Sequence, residues 1–538
     1  MAWKARTQID TDQLELEEAR IVEPQRVAAS RVGMIATAHW CATEAGREIL
    51  EQGGNAVDAA VAASLALGVC EPAASGIGGQ TMMLVHTAEP RRTFALDGSS
   101  RAPNRAAPEA VQDKEGRLRG HAATTVPSTL ATLDYALRHY GTMKFARVIQ
   151  PAIRLADDGY PVSILQNRLT KRELKYLKNG TAAPFFLRNS ARAYPAGAKL
   201  QQPVLAETLR RIAKRGVKDF YRGQIARQIH DDMQANDGLL HRDDLAQIPR
   251  PIERRPVSCH FRGYRVITFP PPGAGRTLVE MLNILENLPE RLHRADTPRG
   301  AVTLAEVIRR AFLDRRDRPY DPTFYSQIDD RHMMSADYAT QVAGQIRKRI
   351  KTHGETSHLS VMDRFGNVVA LTQSIERVFG SFAASPDLGF LYNNYMSAFE
   401  YQDIAHPYYL RPNAVPWASV APTIVFRGRR PWLALGSPGS ERITPSIMQV
   451  LLRLQHQPPF DAVAGPRLHC SIGGVVSLEA ARMRDDIPRA LERRGFTIRR
   501  RNPYSFYLGC VQLVMQENKR FLGVADPRRD GAAGGPQR

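Results

Sequence analysis

The chain has no run of about 18 uninterrupted apolar residues, which excludes a conventional membrane-spanning helix. Its first twenty residues, MAWKARTQIDTDQLELEEAR, contain no apolar core of a secretory signal, so a cytoplasmic location is expected. Cysteine is scarce. The five present, Cys41, Cys70, Cys259, Cys470 and Cys510, are odd in number and widely spaced, which argues for free thiols over a disulfide framework or a zinc site. No metal ligand set and no organic cofactor motif is apparent. The common catalytic signatures are missing too: there is no GxSxG elbow, no GxxxxGK[ST] phosphate loop and no HExxH pair.

Acidic residues are also in short supply. Lys and Arg total 74 against 54 Asp and Glu, a net charge of +20. Such an excess raises a nucleic-acid hypothesis. The basic residues are scattered, however, as pairs such as Arg309-Arg310, Arg315-Arg316, Arg429-Arg430 and Arg493-Arg494, with Arg499 to Arg501. No zinc finger, RNA-binding signature or basic tail accompanies them. They read as a solvated arginine-rich surface.

What is present is globular: 43% hydrophobic and 24% charged residues over 538 positions, enough for a large core. Residues 1–32 read as a polar leader. Met34 to Ala38 reads as a buried strand, and Cys41 or Thr43 is a candidate cap for the helix that follows. The segment from Ala56 to Val69 is almost wholly small or apolar and predicts a buried helix. Gly76-Ile77-Gly78-Gly79 precedes a strand rather than a helix, so it reads as a tight turn, not a phosphate cradle. Helices dominate to about residue 350. From 356 the pattern turns to strands: HLSVMDRFGNVVALTQSI alternates on both sides of Asp363 to Asn367, a hairpin signature.

One segment carries chemistry. In Glu355-Thr356-Ser357-His358 a Thr stands where a basic, polar loop meets the first strand of the hairpin. Taken alone, Thr356 reads as a residue that starts a strand. If the chain were cut before it, its hydroxyl would gain a free α-amine as neighbour. That amine has an ordinary pKa near 7.7–8.0, suited to a general base at neutral pH.

Nine segments decide between these readings. In order they are ATEAGREILEQGGNAVDAAVA, EPAASGIGG, FYRGQIARQI with GLLHRDDLA, PPPGAGRTLVEMLNILE, TSHLSVMDRFGNVVALTQSIE, LYNNYMSAF, ASVAPTIV, LGSPGSERI and ADPRRDGAA. Together they resemble the γ-glutamyltranspeptidase family of N-terminal-nucleophile hydrolases, from about Gly33 to Gly531. The resemblance implies a mixed α/β fold, an αββα sandwich of two stacked sheets flanked by helices. It also implies a precursor that cuts itself between Glu355 and Thr356. The products would be a large chain, 33–355 behind the leader, and a small chain, 356–538, packed together as a heterodimer.

By the same resemblance, Thr356 is the nucleophile, Ser374 bonds its amine, and the backbone N–H groups of Gly439 and Ser440 form an oxyanion hole. Gly439 matches the family pattern, while Ser440 stands where the family has a second glycine. The acyl pocket departs further. The family's arginine for the glutamyl carboxylate aligns with Ser99, with Arg101 two residues on. The partners of the glutamyl ammonium align with Glu376, Tyr395 and Ala398, none of them the usual residue, and Glu400 is a further candidate. Of the family's serine pair only Ser419 is kept, after Ala418. The expectation is therefore a self-processing Thr amidohydrolase or acyltransferase for a small acyl amide, with water or an amine as acceptor. Its rivals are a non-glutamyl acylase of the same family, and an inactive scaffold or nucleic-acid-binding protein.

Overall fold

The computed structural model describes residues 24–111, 114–317, 335, 337–340 and 356–537. Two seven-stranded sheets form its centre. One runs, edge to edge, Val27–Ser30, Arg520–Ala525, Gln512–Glu517, Arg430–Gly436, Thr423–Arg427, Tyr264–Thr268 and Val257–Phe261. The other runs Ala532–Gly534, Gly33–Thr37, Ser357–Asp363, Val368–Ser374, Gln80–Thr87, Arg92–Gly98 and Ile252–Arg254. Neighbouring strands in both are antiparallel.

Period-2 alternation explains the layering. Met34, Ala36, Met82, Leu84, Met362 and Ala370 of the second sheet meet Ile424, Phe426, Ala434 and Val514 of the first in a shared core between the sheets. The intervening residues point outward. Ile35, Met83, Val85, Leu359 and Val361 pack under the helices Trp40–Glu51 and Ala56–Cys70. Val425, Leu433, Leu435 and Leu513 pack under Gly275–Glu286, Pro298–Asp317 and Ile443–Arg453. Helix, sheet, sheet, helix is the expected αββα sandwich.

Each sheet contains strands from before and from after residue 356, so two chains parted at that point would still share both cores. The hairpin is as expected, with Ser357 paired to Gln373 and Met362 to Val368. Asp363 organises its loop by accepting from the N–H groups of Phe365 and Asn367, both at 2.9 Å. Its other oxygen accepts from the N–H of Ala56 at 2.8 Å and so ties the hairpin to the buried helix.

Local details differ from expectation. Val27–Ser30, inside the stretch read as leader, is an edge strand paired to Phe521–Val524. The cap of the first helix is neither Cys41 nor Thr43 but His39, whose Nδ1 accepts from the Cys41 N–H at 3.2 Å. The glycines at 76–79 serve a close approach, as a turn rather than an anion cradle: a Cβ on Gly78 would lie 2.2 Å from the Leu391 carbonyl oxygen, and one on Gly79 2.2 Å from that of Ser374.

All five cysteines are free and buried. Among the described residues there is no group of His, Cys, Asp and Glu placed to hold a metal ion, and no helix long and apolar enough to cross a membrane.

Several arginines read as solvated surface are not. Arg309 is buried and donates to the Ile472 carbonyl at 3.3 Å, and Arg501 is buried with its guanidinium 3.9 Å from the Tyr507 ring centroid. Arg467 and Arg528 lie in the core, paired to Asp526 at 2.5 and 3.1 Å.

Candidate active site

The strand Ser357–Asp363 delivers Thr356 to the edge of a cavity of about 300 Å³. Thr356 is 4% exposed. Continuing the hairpin register by one residue sets Ser374 opposite it, and directly opposed residues of an antiparallel pair project to the same side. The Ser374 hydroxyl accepts from the N–H of Glu376 at 2.8 Å and shares a hydrogen bond with Tyr395. Behind the strand start, the Ser357 hydroxyl donates to Glu71 at 2.6 Å, and Glu71 also takes Arg529 at 2.5 Å. The residue after Thr356 is thus fixed by a carboxylate from the EPAASGIGG segment and an arginine from ADPRRDGAA. Glu355 lies outside the described residues.

The opposite wall is the turn that ends the strand Arg430–Gly436. Gly439 has φ +117° and Ser440 φ +53°. Two successive residues at positive φ are unusual, and a serine there carries backbone strain, a feature that clusters at functional sites. Among the described residues nothing accepts a hydrogen bond from the N–H of Gly439 or of Ser440, although both residues are buried. Ser440 lines the cavity together with Thr356.

His358 is the imidazole nearest in sequence to Thr356, but it is no candidate base. It is wedged between the sheets, with Nδ1 2.8 Å from the Thr372 hydroxyl and Nε2 3.0 Å from that of Ser360. Burial drives its pKa down to about 3. Gly436 makes room for it: a Cβ there would lie 2.2 Å from the His358 Cε1.

The rest of the cavity departs from a simple glutamyl clamp. Glu376, Tyr395, Ala398, Glu400 and Ser419 all line it; Ser99 and Arg101 are not among the lining residues. The Ser99 hydroxyl donates to Asp97 at 2.5 Å, and Asp97 is paired to Arg254 at 2.7 Å. Arg101 bridges Val126 through its backbone and reaches the Asn413 carbonyl at 3.5 Å. The Tyr395 hydroxyl is engaged by Ser374 and Gln80. Glu400 is turned on its own loop, accepting from the N–H groups of Tyr401 at 2.9 Å and Gln402 at 2.8 Å.

Two other carboxyls face the cavity in a different state. Burial pushes Glu376 up to about 7 against the opposing charge of Arg377. Burial likewise pushes Glu441 up to about 7 against Arg442 and Arg315. One Glu441 oxygen is buried with no hydrogen-bond partner among the described residues.

Sequence reasoning missed Glu441, although it directly follows Gly439 and Ser440. It also missed the basic and aromatic side of the cavity: Arg315, Arg316, Arg377, His406, Tyr408 and Trp417. Arg315 lies 4.4 Å from the Trp417 ring centroid and donates to the Ala418 carbonyl at 2.5 Å. The only signal was the Arg315-Arg316 pair itself, read as surface.

The γ-glutamyltranspeptidase family model matches residues 42–535. The chain belongs to this family. It is 32% identical to a glutathione hydrolase proenzyme of Bacillus subtilis strain 168, over 95% of this chain and 92% of that one. It is 33% identical to the acylase ACY 1 proenzyme of Pseudomonas sp. strain V22, over 94% of both. The crystal structure of a cephalosporin acylase from Bacillus halodurans superposes with a TM-score of 0.88 at 29% identity, covering 98% of this chain and all of that one. The protein is therefore a self-processing amidohydrolase and acyltransferase of the γ-glutamyltranspeptidase type. The match to both hydrolases of glutathione and acylases accommodates the non-glutamyl reading equally.

Proposed function

We propose that the chain matures by cleavage between Glu355 and Thr356 into a two-chain heterodimer, and that Thr356 then serves as the nucleophile of an acylase. In the first step the Thr356 hydroxyl oxygen attacks the Glu355 carbonyl, the peptide bond becomes an ester, and water frees the two chains. In turnover the same oxygen attacks the acyl carbon of a substrate amide. The free α-amine of Thr356 takes the hydroxyl proton and passes it to the leaving amine; water or another amine then resolves the acyl-enzyme. The unengaged N–H groups of Gly439 and Ser440 hold the oxyanion. Ser374, level with Thr356 on the neighbouring strand, orients the α-amine.

The observation that carries the substrate class is the state of the carboxyls in the cavity. Glu376 and Glu441 are raised to about 7, so near neutral pH each is only about half ionised, while Arg315, Arg316 and Arg377 also line the cavity as cations. That favours an acyl group ending in a carboxylate and lacking an α-ammonium, such as a dicarboxylic monoamide. This fits the acylase relatives by their names. A γ-glutamyl donor is the second reading, favoured by the same Glu376, which an incoming ammonium would ionise. The test compares a glutaryl anilide with a γ-glutamyl anilide, which differ only in that amine. The glutaryl compound is expected to have the higher kcat/KM. A glutaryl compound worse by about tenfold, or 1.4 kcal/mol, overturns the assignment.

A further inference from the structure

A second polar chamber lies at the far end of the helix Ile443–Arg453, independent of the reading above. The helix begins just after the oxyanion turn, and its 11 residues span about 16 Å. At its last residue, Arg453 is 7% exposed and lines a chamber of about 60 Å³. Its Nη2 donates to the Pro466 carbonyl, but its Nη1 is buried with no hydrogen-bond partner among the described residues. The position is built for this side chain: a Cβ on Gly465 would lie 2.8 Å from the Arg453 Nε. Burial, then the charges of Arg467 and Arg528, lower its pKa to about 9 against the opposing charges of Glu479 and Asp296, which leaves it a cation at neutral pH. A buried charged group with an empty donor is costly until that donor finds an acceptor.

The surroundings are also cationic. The chamber adjoins an open cleft of about 500 Å³ through Arg294, Asp296 and Pro466. Arg291, Arg294, Arg482 and Arg484 line that cleft, and Asp296 is its one acid. Three of these arginines have carboxylate partners: Arg294 with Asp296 at 2.7 Å, Arg482 with Glu479 at 2.9 Å and Arg484 with Asp486 at 2.6 Å. Those pairs leave donors on the guanidinium forks. Arg291 makes no hydrogen bond or ion pair among the described residues, and the exposed His456 stands at the chamber wall. A phosphate-class anion accepts on several oxygens at once, which suits arginine forks.

We propose that this chamber binds a small phosphate-class oxyanion, either free inorganic phosphate or the phosphate end of a small molecule whose remainder lies in the cleft. Arg453 supplies the buried donor, and Arg294 and His456 close over the anion from the rim.

The test is calorimetric titration of the full processed protein with sodium phosphate and, separately, with phenyl phosphate, in chloride buffer of matched ionic strength. One saturable site is expected. Tighter binding of phenyl phosphate assigns the cleft to an organic moiety; saturation by inorganic phosphate alone assigns the chamber to the free ion. Arg453→Met is expected to lose the site. Arg294→Ala and His456→Ala, both at exposed positions, keep the fold and weaken binding by about threefold or more. The proposal is overturned if neither ligand saturates, if a folded Arg453→Met variant binds normally, or if both rim variants bind as the wild type does.

Discussion

The raised carboxyls of the cavity make acyl preference depend on pH. At about pH 6, Glu376 and Glu441 are mostly protonated, since their pKa values lie near 7; at about pH 8 they are mostly ionised. A glutaryl donor brings only a carboxylate, so it meets neutral partners at the lower pH and repulsion at the higher. A γ-glutamyl donor brings an ammonium, which gains a charged partner as the carboxyls ionise. A hydrogen bond to a charged group contributes about 1.5–3 kcal/mol. Ionisation of one carboxyl at contact distance is thus expected to change the ratio of the two kcat/KM values by roughly ten- to a hundredfold.

The sign is fixed: the preference for glutaryl over γ-glutamyl anilide falls as pH rises through 7. Glu376→Gln keeps the shape and removes the charge, so it flattens the part of the profile that Glu376 carries. Glu441→Gln does the same for the remainder. The assay is the release of aniline from each substrate at saturating and limiting concentrations across this range. A ratio that stays constant from about pH 6 to about pH 8 in the wild type would refute the reasoning, because neither carboxyl would then touch the acyl group.

Two further predictions concern the machinery around Thr356. Gly439→Pro deletes one N–H and cannot hold φ +117°, so kcat is expected to fall by at least about 10²–10³; near-normal turnover in a soluble, folded variant would place the oxyanion hole elsewhere. His358 is neutral in the fold and has its pKa lowered to about 3, so its contribution to stability is present above the ordinary value of 6.5 and is lost as pH falls toward 3. Urea unfolding should show that decline between about pH 6.5 and 3, and the His358 imidazole resonances should not titrate between about pH 8 and 5.

The layers of this fold were written in alternation. Ser357–Asp363 and Val368–Ser374 could be read as a hairpin because Leu359 and Val361 in one and Val369 and Leu371 in the other fall at every second position, and Asp363 with Gly366 marks the loop between them. The helix Ala56–Cys70 could be read because, apart from Asp58 and Ser64, its residues are small or apolar. Strand patterning did not reveal the proposed nucleophile or its neighbours: Thr356, Ser374, Gly439 and Ser440 were singled out by the family resemblance, and taken alone Thr356 reads as an ordinary residue at the start of a strand.

The arginines that line the cavity were not legible. Arg315 and Arg316 belong to a long helix, and sequence alone does not say which face of it meets a cavity; a charge pair reads as solvated by default. Whether Arg101 replaces the arginine missing at Ser99 or belongs to the surface could not be read from its spacing. Its backbone bridges Val126, its guanidinium reaches the Asn413 carbonyl at 3.5 Å, and it is not among the residues lining the cavity. The His39 cap escaped because histidine is a rare cap, although a ring nitrogen accepts a backbone N–H as well as a hydroxyl does. The short edge strand Val27–Ser30 was hidden by its polar surroundings, since an edge strand needs only one buried face.

Thr356 is proposed to be both the point of cleavage and the acyl carrier. One mass-spectrometric experiment addresses both halves: intact masses of wild type and Thr356→Ala after purification, then of the wild type after brief mixing with glutaryl anilide and acid quench. The account predicts a small chain beginning at Thr356, a Thr356→Ala protein that stays uncut, and a glutaryl adduct that maps to residue 356. A small chain beginning elsewhere, processing that persists in Thr356→Ala, or an adduct on any other residue would contradict it.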